Sequence, residues 1–302
     1  LPTKIILHAG AHKTGTTLIQ TYLHKHLHHP KYFYLDPEVI NASGLLDYIH
    51  GTSDHAVNPL DLARKSGYRN GSILIISHES LLGYSGLQAA RLERYFYGTF
   101  SENGNRLRNL LPDADINIVF YIRRQDDFIV SIYLELLATV STNLGFNEFL
   151  SIQRPEYLSW LRVINDLVEV FGADHVSLGL FDEIKDGPSV FISKFLNRIG
   201  LPVAADQIPD LGRQRPSFSQ IAYELAAIAN RSGLTRDEKR QLFDYLRNHF
   251  SNRTHPSVVL LPPEQKNQIL SKCYLDNQVL FEKYFECVNP SIWYPPVDSM
   301  SN

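Results

Sequence analysis

The chain has 302 residues, 44% of them hydrophobic, enough to bury a large core in one domain or in one domain with a helical extension. Its 29 Lys and Arg against 32 Asp and Glu give a formal net charge of -3, so nothing in the bulk charge points to nucleic acid or an anionic membrane as a partner. No run of about 18 apolar residues occurs, which excludes a membrane span within this sequence.

The opening stretch "LPTKIILHAG" has neither the charged flank nor the cleavage site of a signal peptide. Because the first residue is not Met, a removed signal or anchor stays open, and a cytoplasmic location is the expectation. The run "KIILHAG" (4–10) reads as a buried strand, and "TTLIQTYLHKHL" (16–27) as a helix with Leu18 and Tyr22 on one face. Residues 36–70, rich in Pro, Gly, Asn and Asp, read as irregular, a lid or a substrate wall. "SILIIS" (72–77) and "INIVFYI" (116–122) are the next strands, followed by a helix over 127–138. A helix over 157–172 is stopped by Gly172, then come a strand over 176–181 and a helix over 188–200 with Pro near its start and Gly at its end. From Ser217 onward only helices are predicted, over 217–231, 235–249 and 263–285.

Near-continuous apolar strands separated by helices indicate a parallel sheet covered on both faces. The expected organisation is one domain over 1–302, an α/β core over about 1–200 and a helical portion over about 201–302. The two cysteines, Cys273 and Cys287, fall in or just after the last helix and read as free thiols. His24 and His28 stand four residues apart on a helix, as zinc ligands can, but no Cys or acidic residue joins them. They read as a solvated helix end, and no metal site is expected.

The stretch that carries chemistry is "HAGAHKTGTT", His8 to Thr17. Gly10 and Gly15 have the spacing of a phosphate-binding loop, G-x-x-x-x-G-K-[ST], yet the lysine lies inside the loop as Lys13 and two threonines, Thr16 and Thr17, follow Gly15. A strand ending at Gly10 and a helix starting near Thr16 expose backbone N–H groups at a helix N-terminus, an anion site. A triphosphate site also needs a strand-end Asp to hold magnesium. The strands here end in "GAHK", "SHES", "RRQDD" and "FDEI", where Asp182 is the single candidate, so the magnesium apparatus is weak.

"GAHKTGTT" resembles the 5′-phosphosulfate loop of sulfotransferases that use 3′-phosphoadenosine 5′-phosphosulfate (PAPS), with lysine at the fourth place and a double threonine. "FYIRRQDDFIVSIY" resembles the same family's 3′-phosphate motif, an Arg at a strand end and a Ser eight residues on, here Arg123 and Ser131. The layout of 157–201 is similar to the family's, and the segment "DNQVLFEKYF" (276–285) resembles a C-terminal helix of its bacterial carbohydrate-type members. The cytosolic members' C-terminal R-K-G-x-x-G segment is absent, and "GRQRPSFS" (212–219) is a weak substitute.

The resemblance implies an α/β, P-loop NTPase-like three-layer fold and sulfuryl transfer from PAPS to a hydroxyl or amine of a carbohydrate or other small molecule, with no metal. It implies that Gly10, His12, Lys13, Thr14, Gly15, Thr16 and Thr17 hold the 5′ end of the donor, while Arg123 and Ser131 hold its 3′-phosphate. The strand ending "IISHES" puts His78 and Glu79 at the carboxyl edge of the sheet, where alternation sends only one of them into the cleft. Glu79 is preferred as the base that takes the acceptor proton, His78 is the second choice, and His12 is a further candidate. Two other readings compete: a P-loop kinase or NTPase with a rearranged loop, and a non-catalytic nucleotide-binding protein.

Overall fold

A computed structural model describes residues 2–84, 96–139, 142–153, 158–212, 216–286 and 288–293. In chain order the elements are β1 (Thr3–His8), α1 (Thr16–His26), β2 (Tyr32–Leu35), α2 (Pro37–Ser43), α3 (Leu45–Ile49), α4 (Pro59–Lys65), β3 (Ile73–Ser77), α5 (Phe100–Leu110), β4 (Ala114–Ile122) and α6 (Gln125–Ala138). There follow α7 (Phe146–Gln153), α8 (Trp160–Phe171), β5 (Val176–Leu180), α9 (Pro188–Arg198), α10 (Gln220–Asn230), α11 (Arg236–His249), α12 (Pro263–Lys272) and α13 (Tyr274–Tyr284). The chain forms two compact units, Leu1–Arg123 with Trp160–Gly212, and Arg124–Ser159 with Arg213–Asn302. No helix among the described residues is long and apolar enough to cross a membrane.

The first unit is built on a five-stranded sheet of order β2-β3-β1-β4-β5, parallel throughout. Its strands are apolar because both faces are covered. On one face Ile6, Ile75, Val119 and Tyr121 pack with Leu18 and Ile19 of α1 and Phe191, Ile192 and Phe195 of α9. Successive side chains alternate, so Phe120 turns to the other face. There its ring meets Phe100 of α5 edge-on at 5.6 Å and Trp160 of α8 at 6.4 Å. This is the three-layer, P-loop NTPase-like α/β arrangement.

The register pairs His8 of β1 with Ser77 of β3 and with Val119 of β4, so these strands run out on the same edge of the sheet. Strand β1 lies between β3 and β4, where the order of strand addition reverses. Ligands of open parallel sheets bind at such a switch point, outside the carboxyl ends.

Two expectations need correcting here. Residues 36–70 are not irregular, because α2, α3 and α4 form within them. Asp36 and Asn58 cap α2 and α4, accepting from the backbone N–H groups of Glu38 and Leu60, and in both cases Pro takes the first helical position. The strand count rises to five because β2, with three half-buried aromatic residues of its four, lies at the sheet edge.

The second unit is helical. Leu137 of α6 packs with Phe218, with Ala222, Ala226 and Ala229 of α10, and with Phe243 and Leu246 of α11. Three alanines along α10 let the helices approach closely. A capping box starts α11, with Thr235 and Glu238 bonding reciprocally to each other's backbone. Gln125 and Asn277, both buried, exchange amide hydrogen bonds of 2.7 and 3.1 Å, which tie α13 to the first turn of α6. The predicted helix 263–285 is divided at Cys273, a buried free thiol between α12 and α13. Cys287 lies outside the described residues.

Candidate active site

The loop from β1 to α1 is held by the sheet on both sides. Ala11 N–H donates to Tyr121 O of β4 (3.2 Å), and His78 N–H donates to His8 O (3.0 Å). Gln20 of α1 reaches back to Ser77 O with its amide (3.0 Å). Within the loop, Thr14 Oγ1 donates to Ala11 O.

Both glycines are required by space. A Cβ on Gly10 would lie 3.0 Å from His8 Nε2. Gly15 has φ +90°, and a Cβ there would come within 2.9 Å of the Phe191 ring, which is fully buried. Gly15→Ala should therefore destabilise the protein by about 2–4 kcal/mol, the sum of left-handed strain and overpacking. Denaturant unfolding of the two proteins checks this, and a change below about 0.5 kcal/mol would show that Phe191 yields freely.

Helix α1 opens from Gly15 with no side-chain cap and no acidic residue in its first turn, so its positive end is uncompensated. Thr16 is 3% exposed, and its Oγ1 is buried with no hydrogen-bond partner among the described residues. A buried hydroxyl without a partner costs about 1–3 kcal/mol, a penalty that an anion seated at the helix end would remove. The bare helix end and the Thr16 hydroxyl in its first turn suit phosphate oxygens. Thr17 is half-buried beside it.

Lys13 sits in the left-handed region, φ 63°, which costs a non-glycine residue about 1–2 kcal/mol. Strain of this kind persists where the surroundings over-determine it. Arg123, just past the end of β4, donates from Nη1 to Lys13 O at 3.1 Å. The Arg123 guanidinium lies 4.7 Å over the Phe181 ring, and Trp160 Nε1 donates to Arg123 O at 2.7 Å. Two motifs 110 residues apart thus meet at the loop. The next residue, Arg124, pairs with both acids of the following helical turn, its Nε 2.7 Å from Asp126 Oδ1 and its Nη2 3.5 Å from Asp127 Oδ2. Ser131 is half-buried on α6, in the second unit.

At the end of β3 the residues divide their roles. Ser80 N–H donates to His78 Nδ1 at 3.2 Å, so the ring proton sits on Nε2 and is donated to Asn41 Oδ1 at 3.0 Å. Both nitrogens of His78 are committed. Burial pulls its pKa down to about 4, against an opposing pull from the neighbouring Glu79 carboxylate, with His12 and His50 adding to the lowering. Glu79 is half-buried next to it.

Ser80 is gripped by three histidines. Besides His78, His50 Nε2–H donates to its carbonyl (2.7 Å), and His12 Nε2 lies 3.3 Å from its Oγ. His12 is also bound by Tyr97, whose hydroxyl is 3.0 Å from the His12 N–H and 3.1 Å from Nδ1. Tyr97 is 1% exposed, so its ring belongs to the core and its hydroxyl to the loop. No local pattern marks Tyr97, Ser80, His50 or Asn41, because their meeting is a product of the fold.

Behind the loop His8 is fully buried. Its Nδ1 pairs with Ser77 Oγ at 2.8 Å, and burial lowers its pKa to about 3, so the ring is neutral.

Asp182, His24 and Ser219 each have a partner of their own. Asp182 Oδ1 pairs with Lys185 Nζ at 2.5 Å. His24 pairs with Asp36 at 3.1 Å, and no metal-holding cluster occurs among the described residues. Ser219 is the N-cap of α10, and Arg213 and Arg215 lie outside the described residues.

Sheet order and loop define an α/β fold of the P-loop NTPase-like type. No family model matches the chain. No curated protein matches it either. Among solved structures it is similar to a sulfotransferase from Alicyclobacillus acidocaldarius (TM-score 0.47, 17% identity, 84% of this chain and 99% of that one). It is also similar to mouse sulfotransferase SULT7A1 complexed with PAP (0.45, 11%, 94% and 89%). A third is the sulfotransferase domain from the curacin biosynthetic pathway (0.38, 12%, 91% and 98%).

Proposed function

We propose that this chain is a PAPS-dependent sulfotransferase that moves a sulfuryl group to a hydroxyl or amine of a carbohydrate or other small molecule in the cytoplasm. The observation that carries the reading is the hydrogen bond from Arg123 Nη1 to Lys13 O, 3.1 Å. It joins the two stretches whose residues resemble the family's 5′ and 3′ motifs. Thr16 Oγ1 and the bare N-terminus of α1 fit a 5′-phosphate.

In this reading Lys13, Thr16, Thr17 and the loop N–H groups stabilise charge on the leaving 5′-phosphate, and Arg123 with Ser131 holds the 3′-phosphate. Glu79 takes the acceptor proton. Transfer is an in-line displacement, in which the acceptor oxygen or nitrogen bonds to sulfur as the bond to the phosphate oxygen breaks. A sulfuryl group carries less charge than a phosphoryl group, so Lys13 and the loop dipoles suffice without a metal.

The test is thermal stability with adenosine 3′,5′-bisphosphate against ATP. At a hundredfold excess over Kd, bisphosphate should raise the midpoint by about 4 °C, and ATP with magnesium should do less. Stabilisation by ATP alone, with magnesium-dependent hydrolysis, would overturn the reading in favour of an NTPase. Acceptors are then screened with labelled PAPS.

A further inference from the structure

We infer that Tyr97 is a positioning residue that locks the Lys13 loop in its binding-competent shape, an inference that rests on the reading of this loop as the donor site. Among the described residues only two non-glycine positions have positive φ, Lys13 at 63° and Tyr97 at 55°. A bulky side chain in that region is a strained outlier, held only by surrounding contacts. The two strained residues flank one bridge. The Tyr97 hydroxyl accepts from the backbone N–H of His12, the residue before Lys13, and sits 3.1 Å from the same residue's ring.

The far side of that ring is held as well, by Ser80 Oγ at 3.3 Å. His12 is therefore gripped by its backbone and by both ring nitrogens. Its N–H is turned to a protein hydroxyl, which leaves the anion to other groups of the loop. From the carboxyl side, Arg123 holds Lys13 O. Lys13 stands between two fixed points and has no room to relax toward an ordinary φ. The Tyr97 ring itself is anchored, 5.7 Å from Phe100 and 6.0 Å from Trp160, so the hydroxyl's position is set by the core.

The consequence is a population effect. Without the bridge, Lys13 relaxes, and only a fraction of the protein keeps the loop ready. Ligand affinity falls by that fraction, while bound ligand selects the same competent state as before. Two hydrogen bonds of ordinary strength correspond to about a tenfold effect.

The experiment is Tyr97→Phe, which keeps the ring packing and removes the hydroxyl. We expect the Kd of adenosine 3′,5′-bisphosphate, by calorimetry, and the KM for PAPS each to rise about tenfold, with kcat within twofold of wild type. Ser80→Ala, which frees the other side of His12, should weaken bisphosphate binding about two- to fivefold and decides the matter if Tyr97→Phe does not fold. A general loss of structure would lower kcat and leave KM in place, and that result overturns the inference, as does unchanged binding in the variants. Wild-type protein that does not bind the bisphosphate overturns the reading of the site itself, a separate outcome.

Discussion

Lys13→Met should lower sulfuryl transfer by about 10²- to 10³-fold at saturating PAPS, the range seen when one preorganised charge or donor is removed from a transition state. In the proposed transfer the sulfur–oxygen bond to the 5′-phosphate breaks with charge building on that phosphate, so a fixed cation contributes more at the transition state than to binding. Bisphosphate affinity should fall less, by about tenfold. Met keeps the length of the side chain and, like Lys, pays for φ 63°. A companion variant separates strain from charge. Lys13→Gly removes both, and it should raise stability by about 1 kcal/mol while being as inactive as Lys13→Met. Measured side by side, kcat with PAPS and unfolding free energy give the answer. Activity of Lys13→Met within threefold of wild type would mean that the loop's lysine is not at the reacting end of the donor.

How much of this was legible in the chain follows from which contacts are local. Strands β1, β3, β4 and β5 are read directly, because a strand covered on both faces must be a short apolar run. The edge strand "YFYL" escapes, since its residues are only partly buried and aromatics serve cores and surfaces alike. In 36–70 the same residues that read as loop are helix starts: Asp36-Pro37 and Asn58-Pro59 are each an N-cap followed by Pro at the first helical position. Punctuation was recognised, but not what it punctuates. Helix α5 was missed for a related reason, as Asn103, Gly104 and Asn105 lie in its middle.

In the site, the glycine spacing picks out the loop, and the resemblance to a family motif picks out Arg123. The bond between them depends on β4 lying beside β1, which no local pattern states. The Tyr97 hydroxyl reaches His12 across 85 residues, and the three histidines converge on Ser80 from three separate segments. Such contacts are written in tertiary geometry. The pairing of Arg124 with Asp126 is local by contrast, since Arg124 is the N-cap residue of α6 and its guanidinium meets the first helical turn.

The second large effect concerns the base. Glu79→Gln should lower kcat by about 10²- to 10⁴-fold, the usual contribution of a positioned proton acceptor, with bisphosphate binding within twofold of wild type. The choice between the two neighbours rests on lone pairs. His78 at neutral pH is unprotonated, with its pKa lowered to about 4, which would suit a base if the free nitrogen faced the acceptor. That nitrogen, Nδ1, already accepts from Ser80 N–H, and the other donates to Asn41. To act as a base the ring would have to abandon Ser80 N–H, a half-buried amide that would lose this hydrogen bond. Glu79 carries two carboxylate oxygens with about four acceptor sites between them, against the single acceptor nitrogen of a neutral imidazole. His78→Gln should therefore lose less than tenfold in kcat and show its damage mainly in stability. Both variants are assayed against one acceptor at saturating PAPS. If His78→Gln is the inactive one and Glu79→Gln turns over normally, the proton goes to the imidazole, and the Ser80 hydrogen bond must open during each cycle.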